Sequence, residues 1–450
     1  MFALALRSLR HRIGGFAASF LAMFLGATVL MAFASMLDTA GGEGVDSTSE
    51  ETLTTMGTVV GFWGLLLVVF AVSSTLTLSV RQRSAEMALL RSVGATPGQV
   101  TRLIVGETAV LAVVAAVLAI VPAMLGGRLL LHLLGSTDQV ASDVSFAFGP
   151  IALAMGMTIT FVAATLAALL TARRAARMNA ADAVAAAARD NGGLSRKRIA
   201  VGVGFLLLAV NLAVVTATVM KGEGSDAMQT AGQTSIWAAI GLAVLAPALV
   251  RRVAGLLAGP LERRGPTGYL TAQNLRRHTG RLAAVVMPVV LFTAIGTATL
   301  VMQAVENDAM AASGLSKTNQ EKNVETLNFV VIGMIVAFAA IMLVNTLVAA
   351  TANRRREFAQ TRLAGATPRQ ILDVVVLEGV VLTATGVLFG TLASLTTILP
   401  YSYARTGDVL PGTGAGVYLG VVAVAAVLTV ATGYAATRRA IRTPAISAVA

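Results

Sequence analysis

The chain has 450 residues, of which 56% are hydrophobic and 12% are charged, and its formal net charge is +12. Soluble globular domains carry about 25% charged residues, so this composition excludes a water-soluble domain and predicts a membrane protein. The absence of cysteine excludes disulfides, thiolate metal sites and cysteine nucleophiles, and the three histidines are too few and too scattered for a zinc site.

Ten segments of at least 20 residues contain no Asp, Glu, Lys or Arg. An α-helix of about 20 apolar residues crosses a bilayer core about 30 Å thick, so the sequence predicts an all-α polytopic protein with ten transmembrane helices. The sixth segment is the weakest because Arg251 and Arg252 interrupt its apolar part, and we expect it to be short or tilted. The ten segments are residues 13–36, 56–80, 108–127, 144–172, 199–220, 227–250, 282–305, 326–353, 379–403 and 409–437.

The basic residues are distributed unevenly between the two sides of the predicted membrane. Of the 34 Lys and Arg residues, 29 lie near the termini or in the loops 81–107, 172–198, 251–281 and 353–378. Because basic loops stay in the cytoplasm, we predict that both termini and these four loops are cytoplasmic. This charge attracts anionic lipid headgroups and does not form the single patch of a nucleic-acid-binding protein. The other five basic residues are Arg128, Lys221, Lys317, Lys322 and Arg405.

One polar loop occurs twice in the chain. Residues 81–107 read RQRSAEMALLRSVGATPGQVTRLIVGE, and residues 352–378 read ANRRREFAQTRLAGATPRQILDVVVLE, at an offset of 271 positions. Two further polar anchors repeat in the same order. They are residues 8–14 with 274–280, and residues 173–177 with 438–442.

These three anchors define the organisation of the chain. They predict two four-helix repeats, residues 1–185 and 267–450, which flank a central region of two helices at residues 186–266. Each repeat begins and ends on the cytoplasmic side, so the two repeats are parallel and related by a pseudo-twofold axis along the membrane normal.

Each copy of the loop carries the signals for a helix, a sharp corner and a second helix. Gly94 can take the left-handed conformation that ends a helix. The segment Thr96-Pro97-Gly98-Gln99 then predicts a helix start, with Thr as N-cap, Pro at the first position and Gln able to bond back to the cap. Residues 365–370, Gly-Ala-Thr-Pro-Arg-Gln, repeat each of these elements. We also predict interfacial amphipathic helices at residues 1–12 and 268–281.

The pattern Glu-x-x-x-x-Arg-x-x-Gly-Ala-Thr-Pro-x-Gln lies between the second and third predicted helices of each repeat. In this position it resembles the FtsX-like permease family, which includes the MacB-type and BceB-type subunits of ABC transporters. Ten helices with a family unit at each end are similar to the BceB arrangement. The resemblance implies that the chain is the permease subunit of an ABC transporter, and that the repeated loop of each unit docks on a separate ATPase.

The resemblance also implies roles for individual residues. Glu86 and Glu357 would contact the ATPase, and Arg91 and Arg362 would brace or pair across that interface. The alternative is that these charges only solvate a cytoplasmic helix. The full set of implied coupling residues is Arg83, Glu86, Leu90, Arg91, Gly94, Ala95, Thr96, Pro97 and Gln99 in the first copy, and Arg354, Glu357, Arg362, Gly365, Ala366, Thr367, Pro368 and Gln370 in the second.

Two further carboxylates, Glu107 and Glu378, are second-tier candidates for coupling. Each directly precedes a predicted span. The alternative is that the helix dipole alone favours a carboxylate in a first helical turn.

No Walker A sequence, Gly-x-x-x-x-Gly-Lys-Ser/Thr, occurs in the chain, so energy must come from a partner or from an ion gradient. The resemblance implies two copies of an ABC-type ATPase subunit per permease chain, with ATP and Mg bound in that subunit. It implies no cofactor and no enzymatic activity in this chain, and export or extraction of a hydrophobic or amphipathic substrate. Thirty arginines against four lysines are typical of a high-GC bacterial genome, so we expect the bacterial cytoplasmic membrane.

Two other functions are compatible with the sequence. A signalling mechanotransmitter would report the state of the ATPase to an outer hydrolase or sensor kinase without moving a substrate. A secondary transporter driven by ions would need buried carboxylates, and the predicted span cores contain none. The longest predicted outer loops, residues 306–325 and 38–55, are too short for the large extracytoplasmic domain that many family members carry.

Overall fold

The computed structural model describes residues 13–58, 93–177, 195–222, 227–313, 319–352 and 354–442, and all regular secondary structure in these ranges is helical. The helices, in chain order, are α1 (Ile13–Ala40), α2 (47–58), α3 (Pro97–Ser136), α4 (Pro150–Arg177), α5 (Arg196–Thr218), α6 (Ala227–Glu262), α7 (Gly265–Arg277), α8 (Thr279–Ser313), α9 (Asn319–Ala352), α10 (Arg355–Leu363), α11 (Pro368–Thr406) and α12 (Ala415–Ala440).

Eight of these helices are long and apolar enough to cross a membrane: α1, α3, α4, α5, α6, α8, α11 and α12. They coincide with eight of the ten predicted spans, so the prediction of a helical multi-pass membrane protein is confirmed. Of the other two predicted spans, residues 326–353 lie almost wholly in α9, and most of residues 56–80 lie outside the described residues. The total of ten spans and the cytoplasmic termini stay predictions.

The sixth predicted span is longer than the sequence analysis expected. Helix α6 runs without a break for 36 residues and has Pro247 and Pro260 within it. Arg251 and Arg252 are both exposed, so the helix continues through them without burying their charges.

Contacts divide the chain into two compact units. Unit 1 comprises Met1–Ala185 and Lys317–Ile341, and unit 2 comprises Ala186–Ser316 and Met342–Ala450. The central helices α5 and α6 therefore pack with the second predicted repeat, and the first part of α9 is counted with unit 1. The two units are defined by packing, whereas the predicted boundaries at residues 185 and 267 are defined by repetition in the sequence. Those boundaries stay predictions.

In unit 1, helices α1, α3 and α4 pack on one another. Ala115, Ala119, Ala163 and Ala167 are fully buried, and small side chains of this kind let membrane helices approach closely. At the end of α1 the carboxylate of Asp38 accepts hydrogen bonds from two backbone N–H groups in the first turn of α4, at 3.1 and 2.8 Å. This carboxylate satisfies donors that have no partner inside the helix.

In unit 2, helices α8 and α11 form an extensive pair, and α6 packs against both. Gly386 and Gly390 lie in this pair, and the spacing Gly-x-x-x-Gly places both on one face of α11. A Cβ atom on Gly386 would lie 2.5 Å from Cγ1 of Val289, and one on Gly390 would lie 2.6 Å from Cβ of Thr293. Glycine is therefore required for the two backbones to pack this closely.

Candidate functional site

The two corners have the same backbone geometry. Thr96 and Thr367 are the N-caps of α3 and α11, and both have φ −74° and ψ 153°. Gly94 and Gly365 both have positive φ, 100° and 99°, which is the left-handed conformation that only glycine adopts easily. The predicted corner is confirmed in both copies.

Each corner also forms the predicted capping box. In the first copy, the N–H of Gln99 donates to Oγ1 of Thr96 at 3.3 Å, and the N–H of Thr96 donates to Oε1 of Gln99 at 2.9 Å. In the second copy the same two bonds join Thr367 and Gln370 at 3.2 and 2.8 Å. Pro97 and Pro368 occupy the first helical position, where the missing N–H costs nothing.

Both corners are open to contact from outside the protein. Gly94, Thr96 and Gln99 are exposed, as are their counterparts in the second copy, whereas Ala95 and Ala366 are partly buried. The remaining coupling candidates of the first copy, Arg83, Glu86, Leu90 and Arg91, lie outside the described residues.

The short helix α10 precedes the second corner and packs against unit 2 through one apolar side. Phe358 is buried in a cluster with Ile371, Val375 and Ala440, which come from α11 and α12. Arg362 adds a polar contact, because its Nη1 donates to the carbonyl oxygen of Ile441 at 2.9 Å. A helix of nine residues is too short to be stable alone, so these tertiary contacts hold it in place.

Arg354 lies directly before α10 and forms the strongest polar network of this region. Its Nη1 and Nη2 donate to the two carboxylate oxygens of Glu378, at 2.5 and 3.2 Å, and its Nε donates to Glu357 at 3.2 Å. Nδ2 of Asn274, in α7, donates to the same Glu378 carboxylate at 2.6 Å. The network therefore joins three elements: the start of α10, the span α11 and the short helix α7.

Burial and charge act in opposite directions on Arg354. Burial alone would lower its pKa, but the charges and hydrogen bonds of Glu378 and Glu357 outweigh burial and raise the pKa above its ordinary value. Arg354 therefore stays protonated at any physiological pH.

The structure corrects the reading of Glu107 and Glu378 as residues of a first helical turn. Helices α3 and α11 begin at Pro97 and Pro368, so each carboxylate lies almost three turns inside its helix, beyond the reach of the helix-terminal dipole. Glu107 is 1% exposed and Glu378 is 3% exposed. The explanation by helix dipole is wrong because the corner helix and the span are one continuous helix.

Glu357 and Arg362 have partners within unit 2. Glu357 contacts Arg354, and its side chain is still 40% exposed. Sequence reasoning did not find Asn274, although it named the surrounding segment as an interfacial helix. That helix runs from Gly265 to Arg277 rather than over residues 268–281, because His278 leaves the helical conformation and α8 begins at the next residue.

A cavity of about 490 Å³ lies between α7, α10 and α11, beside this network. Its wall combines apolar side chains such as Tyr269 and Phe358 with the polar Gln360 and Gln370 and the basic Arg277.

A second buried ion pair lies at the opposite end of α11. Nε and Nη2 of Arg405 donate to the carboxylate of Glu306, in α8, at 2.8 and 3.1 Å, and the hydroxyl of Tyr401 donates to the same carboxylate at 2.5 Å. Sequence reasoning missed this cluster. The available signal was that Glu306 directly follows the uncharged run 282–305 and that Arg405 is one of only five basic residues outside the basic loops.

These observations define a class of protein: a helical multi-pass membrane protein with two exposed corners of identical geometry. The family model of the FtsX-like permease C-terminal region matches residues 58–180 and 329–445, which together make up more than half of the chain and include both corners. The chain therefore belongs to the FtsX-like permease family and contains two FtsX-like units. No curated protein matches the chain significantly. Members of this family are permease subunits that generally work with an ABC-type ATPase.

Proposed function

We propose that the chain is the permease subunit of an ABC transporter in the bacterial cytoplasmic membrane. It crosses the membrane ten times, with both termini in the cytoplasm, and two copies of a separate ATPase subunit dock on its two corners. Membership of the FtsX-like permease family supports the class of protein, and the basic loops support the orientation.

The single observation that carries the docking proposal is the duplicated corner. Two segments about 270 positions apart in the sequence keep the same φ and ψ at the cap, the same left-handed glycine and the same capping box. Both are exposed although they lie in a highly apolar chain. Two equivalent exposed corners suit a pair of equivalent ATPase subunits, because a symmetric partner needs the same surface twice.

The proposed mechanism is mechanical. Closure of the ATPase pair around ATP displaces the two corners, and α11 follows because it begins at the second corner as one continuous helix. Tilting of the spans then opens a path among apolar helices, which suits a hydrophobic or amphipathic substrate. Movement of whole repeats against each other is an established device of membrane transport.

The test is co-reconstitution with the partner ABC-type ATPase, followed by measurement of ATP hydrolysis. Glu86→Lys combined with Glu357→Lys reverses the charge beside each corner. We expect it to abolish the stimulation of ATP hydrolysis by the permease, since like charges across an interface oppose docking.

Glu262→Lys is the matched control, because Glu262 is a carboxylate of another basic loop, residues 251–281, with a similar side-chain exposure, 35% against 40% for Glu357. Stimulation should persist in this control. Full stimulation in the double variant would refute docking at these loops. Stimulation without any substrate movement would favour the signalling mechanotransmitter.

A further inference from the structure

The attachment of α10 to the rest of unit 2 is both apolar and ionic. The apolar part is the cluster of Phe358 with Ile371 and Val375. The ionic part is the bidentate pair of Arg354 with Glu378, whose side chains are only 11% and 4% exposed. Asn274 completes the ionic part from α7.

Stability alone does not account for an ion pair in this position. Burial of two charges costs free energy that their attraction returns only in part, and apolar residues of similar volume often stabilise a protein as well or better. The bidentate pair adds something that apolar contact lacks: it fixes the direction of the contact as well as the distance. The start of α10 is thereby held at one orientation relative to α11.

Helix α11 is able to carry a displacement over a long distance. It is continuous for 39 residues, which corresponds to about 58 Å. Its glycines pack directly against Val289 and Thr293 of α8, and Arg405 near its far end pairs with Glu306 of α8. Helices α8 and α11 are therefore connected along their length and at the end opposite to Glu378.

We propose that Arg354, Glu378 and Asn274 form a joint that transmits the displacement of α10 to α11 and α8. The joint rests on the proposed function, because the docked ATPase supplies the displacement. Arg354 and Glu378 act as positioning residues: their contacts are with each other and with neighbouring helices of the permease. The joint predicts that docking and coupling are separable.

The first test needs no ATPase. The chain contains no cysteine, so Leu363→Cys, at a side chain that is 58% exposed, carries a single spin label on α10. In lipid nanodiscs, we expect Arg354→Met combined with Glu378→Leu to make this label more mobile, while the Tm is unchanged or higher. Arg276→Met with Glu262→Leu removes an exposed ion pair of 3.3 Å and should leave the spectrum unchanged. Unchanged label mobility in the joint variant, Arg354→Met with Glu378→Leu, would overturn the proposal.

The second test measures coupling in the reconstituted complex with the partner ABC-type ATPase. We expect the joint variant to remain bound to the ATPase at saturating concentration but to lower the stimulated ATP hydrolysis at least about tenfold. Arg354→Lys keeps the charge but loses the paired donors, so we expect an intermediate loss of stimulated hydrolysis. This single variant replaces the double variant if the double variant does not fold.

The two tests separate the joint from the proposed function. Full stimulation in the joint variants would overturn the joint. An ATPase that does not bind the unsubstituted chain would contradict the proposed function, and the spin-label experiment would still decide whether the joint orients α10.

Discussion

Two arginine–glutamate pairs in unit 2 differ from ordinary surface ion pairs by their burial. Glu378 and Glu306 have side chains 4% and 8% exposed, and their partners Arg354 and Arg405 are 11% and 22% exposed. An exposed pair contributes about 0–1 kcal/mol, whereas removal of one member of a buried pair leaves a charge without compensation. Single substitutions at these sites are therefore expected to have large effects.

Glu306→Gln is predicted to destabilise the protein by about 2 kcal/mol. The amide keeps the size of the side chain but removes the charge that Arg405 and Tyr401 contact. Thermal unfolding of the purified protein in detergent measures the change. Asp308→Asn, at an exposed carboxylate of the same helix, is the matched control and should have no effect. Equal Tm values for the two variants would contradict a structural role for the Glu306 cluster.

For these individual residues, the sequence identifies the residue type but not the residue with which each side chain pairs. Arg354 and Glu378 lie 24 positions apart, and Asn274 lies 104 positions from Glu378. No local pattern links residues at such separations, because packing of α7 and α10 on α11 brings them together. The visible signal is weaker: Glu107, Glu306 and Glu378 each directly adjoin an uncharged run.

At the scale of the helices, close packing of α8 and α11 depends on glycine. A Cβ at position 390 would lie 3.0 Å from the carbonyl oxygen of Val290 and 2.6 Å from Cβ of Thr293. A backbone atom cannot move aside as a flexible side chain can, so a methyl group at this position forces the two helices apart.

Gly390→Ala is accordingly predicted to destabilise the protein by about 1–3 kcal/mol, in spite of the better helix propensity of alanine. Gly416→Ala is the control, because position 416 in α12 has open space for a Cβ, and this substitution should be neutral or stabilising. The Tm in detergent distinguishes the two. A Gly390→Ala variant as stable as the Gly416→Ala variant would refute close packing of α8 and α11 at this point.

Local sequence patterns predicted the corners better than the helix lengths. Thr-Pro-x-Gln specifies a capping box within four residues, and both copies form it. Uncharged runs, in contrast, mark only the parts of helices that cross the bilayer core. Helix α3 has 40 residues, twice the run 108–127, because its polar beginning at the corner continues directly into the span.

At the scale of the whole molecule, the duplicated sequence and the duplicated geometry agree. The family model matches the chain in two segments, and each segment carries one corner with the same backbone angles. The side of the membrane on which the corners lie was inferred from the distribution of Lys and Arg. Docking of an ATPase pair requires both corners on the cytoplasmic side, so orientation and docking can be tested together.

The most direct measurement is cross-linking from a single cysteine, which is specific because the chain has none of its own. Leu363→Cys places the cysteine on α10, and Leu410→Cys places it beyond the opposite end of α11, at side chains 58% and 74% exposed. In membranes that contain the partner ABC-type ATPase, we predict an ATP-dependent cross-link from position 363 and none from position 410. A cross-link from position 410, or none from position 363 while the ATPase is bound, would contradict docking at the corners.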